Sequence, residues 1–367
     1  MTRHLATAAL LLLGAGRAFA QGDTLRFRDP RKADLPCEIV TMTCKQVKYT
    51  IFVNGEPVGT DQVNSMEIRE IVLGANKPYD VQLAEDSVSQ GKNEDAIRRF
   101  EVASRKANCP EHYKQWCRIS AARCILREGQ AKRAAAYIAD LRRELPDTFY
   151  LVESYVLQYE ACRMEGNTAG QESTLAELGR EADSRAMPDW KKAAELLYAD
   201  LHEAQGKWNQ ALAVYAKYVN DPTQAKGARL GELRCLSALA KWDDLKRKAE
   251  AILSDAKGKK PYDEQLLIGA YNARGDCALA RGQTKDALLD YLRGVLVLNS
   301  SGEASREHEA AIAKAAIACA RLAGELRDPD EKGKYKNRAR ELQADLKRYY
   351  PGSPWDKHVG DAINAIR

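Results

Sequence analysis

The chain has 367 residues, 30% of them charged, with 57 lysines and arginines against 52 aspartates and glutamates. A net charge of +5 on this length gives no electrostatic case for nucleic acid or an anionic membrane surface as partner. The charged fraction suits helices with one wet face and one dry stripe.

Residues 1–20 have the pattern of a secretory leader. Arg3 and His4 form a short polar start, residues 5–13 are mostly apolar, and Ala18-Phe19-Ala20 is a small-x-small cleavage site. Cleavage is predicted after Ala20, and the mature chain is expected to be exported, either periplasmic or secreted. The apolar run is far short of the ~20 residues that span a bilayer. No later stretch is apolar enough, so no transmembrane segment is expected in the mature chain. Residues 21–36 carry two prolines and many charges and read as a flexible linker.

Residues 37–77 change period. Val47, Tyr49, Ile51 and Val53 alternate, which predicts a half-buried strand. Asn54-Gly55 then reads as a two-residue hairpin turn, with flanking strands over 38–43 and 66–72. About four short strands make a small antiparallel β module with too little core to be safely independent. Such a module serves naturally as an N-terminal cap over the first helical repeat.

From residue 79 to 350 the chain repeats a helix, a tight turn and a second helix. The unit is clearest at 271–291, where Gly275 and Ala278 are small enough for close helix approach and Gly282 ends the first helix. Taking Gly282 as a turn marker, others fall at Gly91, Gly129, Gly166, Gly206, Ala240 and Gly324, spaced by 34 to 42 residues. Alanine stands five residues after the marker at Ala96, Ala134, Ala211 and Ala287. A large apolar or aromatic residue stands nine after it at Phe100, Ile138, Leu175, Tyr215 and Tyr291. This pattern resembles the tetratricopeptide repeat (TPR), a helix–turn–helix unit with these small and aromatic positions. The resemblance implies a mainly α fold, a TPR-like α-solenoid of about seven helix–turn–helix units, preceded by the small antiparallel β module. Residues 351–367 read as a C-terminal capping helix.

Four cysteines recur in phase, five residues before a marker: Cys124, Cys235, Cys277 and Cys319. Equivalent positions in successive repeats are too far apart to share a metal, and small buried thiols explain the phase. Cys37 with Cys44, and Cys109 with Cys117, are near enough in sequence for bridging in an oxidising compartment, and either state is open. The mature histidines, His112, His202, His308 and His358, are scattered, and no metalloprotease, phosphate-loop or nucleophile-elbow motif is present. Glu307-His308-Glu309 reads as a solvated helix face. No catalytic, cofactor-binding or metal-ligating residue is assigned, and no cofactor is expected.

The TPR resemblance implies that the first helices line a concave wall, with the position six before each marker facing it. Those residues are Glu85, Arg123, Glu160, Asp200, Arg234 and Asp276, then Ala318. A stripe with both signs of charge could hold an extended peptide through salt bridges. The expected function is a non-catalytic exported scaffold or adaptor that binds another protein or an extended peptide, an envelope protein foremost. The alternative is a cell-envelope assembly or polysaccharide-binding factor whose recognition lies in the β module.

Overall fold

A computed structural model describes residues 22–29, 31–53, 56–74, 77–256, 262–297 and 305–366. The expected leader over 1–20 and the expected Asn54-Gly55 turn lie outside the described residues. The chain divides into two compact units, Met1–Ala194 and Glu195–Arg367.

The first unit opens with a sheet of β1 (Asp23–Phe27), β2 (Leu35–Met42), β3 (Gln46–Val53), β4 (Glu56–Asn64) and β5 (Ile68–Val72). The order is β4-β3-β2-β1-β5, with every neighbouring pair antiparallel. Val53 stands opposite Glu56 at the end of the β3–β4 ladder. The expectation of a flexible linker over 21–36 is corrected here, because β1 comes from that segment and sits between β2 and β5. Two things hold it. Leu25 is fully buried, and the Asp23 carboxylate accepts from Ile39 N at 3.2 Å and Gly74 N at 3.0 Å. Leu25 and Phe27 do alternate, but two apolar residues among charges are too short a run to announce a strand.

Three helical hairpins follow: α1 (Tyr79–Ser89) with α2 (Asn93–Arg105), α3 (Glu111–Arg127) with α4 (Ala131–Glu144), and α5 (Leu151–Met164) with α6 (Thr168–Arg185). The sheet and these helices share one core, from Leu25 and Val47 through Phe100 and Ile119 to Ala161. The sheet is seated on α3 and the corner after α4 rather than only on the first hairpin. Gln115 of α3 donates to the Met42 carbonyl at 3.0 Å, while its own carbonyl accepts from Thr148 Oγ1 at 3.0 Å and Phe149 N at 2.9 Å. Cys44 N donates to the Asp147 carbonyl at 2.8 Å.

The division between units falls within α7 (Pro188–Ala204). The second unit continues with α8 (Trp208–Tyr218), α9 (Ala225–Ala238), α10 (Trp242–Ala256), α11 (Glu264–Ala280), α12 (Thr284–Leu296), α13 (Arg306–Glu325), α14 (Pro329–Tyr349) and α15 (Trp355–Asn364). Helix α13 packs against α11, α12, α14 and α15. It is rich in alanine and buried on most sides, because small side chains let four neighbours approach it. Val359, Ile363 and Ile366, in and just after α15, join its core.

Six of the seven expected corners adopt the left-handed conformation: Gly91, Gly129, Gly166, Gly206, Gly282 and, without the benefit of glycine, Ala240 at φ 54°. The seventh is corrected. Gly324 lies inside α13, and the corner comes after Leu326, where the Asp328 side chain caps α14 by accepting from Glu331 N at 2.8 Å and Pro329 opens the helix. All nine cysteines are free and buried. Cys37 lies in β2 and Cys44 beyond its end, and the strand from 37 to 42 alone spans on the order of 15 Å, which sets the two thiols apart. Among the described residues no helix is long and apolar enough to cross a membrane.

Candidate functional site

Within each unit the first helices of successive hairpins touch one another, α1 with α3 and α3 with α5 in one, α9 with α11 and α11 with α13 in the other. Five of the six expected residues lie on these helices, Glu85 on α1, Arg123 on α3, Glu160 on α5, Arg234 on α9 and Asp276 on α11, and Asp200 lies on α7. Their charges are engaged with the protein itself.

In the first unit Glu85 accepts from Trp116 Nε1 at 3.0 Å and pairs with Lys77. Arg123 makes a bidentate pair with Glu153 of the next first helix, at 2.6 and 2.8 Å, and its guanidinium stacks 5.0 Å over the Trp116 ring. Two parallel charge-assisted bonds and a stack fix the side chain in one geometry. Glu160, at the far end, pairs with Arg163 on its own helix at 2.6 Å.

The second unit builds a repeated device. Asp200, six residues before Gly206, accepts from the hydroxyl of Tyr215, nine after it, at 2.7 Å. Asp276, six before Gly282, accepts from the hydroxyl of Tyr291, nine after it, at 2.8 Å. The tyrosine crosses from the second helix of a hairpin to the first and ties its acid in place. Burial raises the pKa of both tyrosines, and the neighbouring carboxylates add to it, so the hydroxyls stay protonated and donate. Close packing lets the rings in: a Cβ on Gly231 would lie 2.3 Å from the Tyr215 ring, and one on Gly275 2.4 Å from the Tyr291 ring. Asp276 also accepts from Ser237 Oγ at 2.7 Å and pairs with Lys314 at 2.7 Å.

Arg234 is the hub of the second wall. It donates to Glu203 at 2.8 and 2.9 Å, to Glu307 at 2.6 Å and to Asp200 at 3.3 Å. Burial alone would lower its pKa, but Glu307 and Glu203 outweigh that and hold it well above the ordinary value. Burial likewise pushes the Glu203 carboxyl up, and the Arg234 hydrogen bonds and charge overcome it, leaving it lowered. For Asp200 burial wins, and its carboxyl is raised against the pull of Arg234. Ala318, the last of the line, is buried in the core.

Sequence reasoning missed Glu203, Arg306, Glu307 and Lys314, which complete these pairs. The in-phase Asp and Tyr positions could have revealed the tyrosine device. The expectation of a solvated Glu307-His308-Glu309 face is corrected for its first two residues. Glu307 is buried against Arg234, and His308 bonds the Tyr350 hydroxyl at 2.8 Å and the Val295 carbonyl at 3.2 Å. The in-phase cysteines are packing thiols, as their spacing implied; burial pushes Cys235 up to about 12 and Cys319 to about 11.

No protein-family model and no curated protein matches the chain. Solved structures do. A tetratricopeptide repeat protein from Parabacteroides merdae aligns at 14% identity and a TM-score of 0.51, over 78% of this chain and 97% of that one. PilW, a widely conserved type IV pilus biogenesis factor, aligns at 16% identity and 0.41, over 67% and 97%. The quorum sensor NprR from B. thuringiensis aligns at 10% identity and 0.46, over 78% and 79%. The hairpin corners, the in-phase alanines and aromatics and the Parabacteroides likeness agree: this chain has a TPR-like fold of tandem helical hairpins preceded by a five-stranded antiparallel sheet.

Proposed function

We propose that the protein is an exported, non-catalytic adaptor that holds another protein, or an extended segment of one, on the walls formed by its first helices. The leader pattern of residues 1–20 supports export, and an envelope protein is the partner expected in that compartment. The observation that carries the reading is Arg123. It is locked by the chain itself, to Glu153 of the next hairpin and to Trp116 of its own helix. A wall ordered in advance loses little freedom on binding. Glu85, Arg123, Glu160, Asp200, Arg234 and Asp276 contribute as a polarised surface whose pairs can be shared with a ligand, rather than as free charges.

A second reading places recognition in the sheet. It is favoured by β4, whose residues are almost all exposed from Glu56 to Asn64 along an edge with no outer neighbour among the described residues. An exposed edge can accept an added strand. Photo-crosslinking groups placed at Glu160, Thr60 and the second-helix residue Lys132 separate the readings in intact cells. Adducts from Glu160 are expected. Adducts from Thr60 alone would favour the sheet, and adducts from Lys132 alone would remove the wall from consideration. Arg123→Glu, which repels Glu153, is expected to weaken partner capture by about tenfold or more.

A further inference from the structure

Hairpins in a stack ordinarily touch only their neighbours in sequence. In the unit Glu195–Arg367 a group of contacts among the described residues departs from that rule. The first turn of α13 belongs to the seventh hairpin, yet Arg306 donates to Glu203 of α7 at 3.0 Å and lies 3.8 Å from Asp200. The next residue, Glu307, accepts from Arg234 of α9 at 2.6 Å. These bonds join residues 103 and 73 positions apart.

The two ends of this bridge differ in character. The Glu203 side chain is 1% exposed and that of Arg306 is 56% exposed. If Arg306 leaves, Glu203 keeps Arg234 and stays 2.5 Å from the Tyr215 hydroxyl, whose one proton it shares with Asp200. The buried part of the network is therefore complete without Arg306, while the outer part is a half-solvated ion pair of modest strength. The rest of α13 is held separately, by the core it shares with α12, α14 and α15.

We propose that Arg306, in the first turn of α13, is an ion-pair clasp that closes the wall of this unit against α7, and that it opens locally while Glu307 stays on Arg234 and the unit stays folded. Closed, it sits on Glu203 and beside Asp200, the second of them a wall position. Open, it leaves Asp200, Glu203 and Glu307 against Arg234 alone, an acidic excess on the wall. The clasp is a property of the fold and needs no partner, so it stands apart from the adaptor reading.

Hydrogen exchange by mass spectrometry on the full chain tests it, comparing wild type, Arg306→Gln and Arg306→Lys at low and at molar salt. Arg306→Gln is expected to speed exchange of amides 309–312 and 203–206 roughly fivefold, leaving α14 and α15 unchanged. Arg306→Lys should fall between, since it keeps the charge without the fork. Molar salt should speed the same amides in wild type and leave Arg306→Gln unaffected. Unchanged exchange at both segments in Arg306→Gln would overturn the clasp. So would equal acceleration over all of α8 to α15, because the turn would then open only with the whole unit.

Discussion

Ala240 is a corner that the chain fills with the wrong residue. Its φ of 54° is a conformation that costs an ordinary residue about 1–2 kcal/mol. Glycine relieves that strain but loses more freedom on folding. Ala240→Gly is accordingly expected to stabilise by about 0.5–1 kcal/mol, read as a rise in the urea midpoint at constant slope. Tyr215 and Tyr291 allow a paired test. Tyr215→Phe removes the one hydroxyl shared by Asp200 and Glu203, and should cost about 1–3 kcal/mol. Tyr291→Phe leaves Asp276 with Ser237 and Lys314 and should cost less. Equal losses in urea unfolding would show that the two hydroxyls do not differ in the way their partners suggest.

Elements meet where side chains are smallest. Gly231→Ala would put a methyl 2.3 Å from the Tyr215 ring, and the helix cannot move without disturbing α8, so a loss of about 1–3 kcal/mol is expected. Gly324→Ala should do the opposite. The repeat spacing makes Gly324 a corner, where alanine would be strained. The structure places it near the end of α13 with nothing within 4 Å of an added Cβ. There alanine should gain up to about 1 kcal/mol of helix propensity. The sign of that one change separates the spacing rule from the observed helix. The join between sheet and helices rests on Gln115, whose removal strands the Met42 carbonyl, the Thr148 hydroxyl and the Phe149 amide. Gln115→Ala should lower the urea midpoint by the equivalent of about 2–4 kcal/mol.

Over the whole molecule the nine thiols report on folding. Cys37 and Cys235 are pushed by burial up to about 12, and Cys319 to about 11, from an ordinary value of 9.0. The folded chain therefore keeps protons that the unfolded chain releases. This contribution to stability is intact below pH 9 and is lost as pH rises through 11 to 12. The urea midpoint is expected to fall above pH 9, and less steeply in Cys319→Ala. A thiol reagent should find all nine cysteines only after unfolding, and a lower count would reveal a bridge.

How much of this was legible depends on how far each feature reaches along the chain. The hairpin corners and the alanine and aromatic positions are set within one repeat, because turn conformation and helix periodicity are local. The sequence by itself therefore determined a TPR-like run of helical hairpins behind a small sheet. It also picked out six charged residues that the structure carries on first helices of its hairpins. It could not place β1, whose only evidence is pairing with strands on both sides, nor the true seventh corner, where helix packing overrides a glycine. Nor could it say what those charges do. The partners of Arg123 and Arg234 lie 30 to 73 residues away, and Arg306 reaches Glu203 across 103. Such pairings follow from small rotations summed over successive hairpins, a quantity written in no single repeat, so only the tertiary structure decided that the walls are already filled.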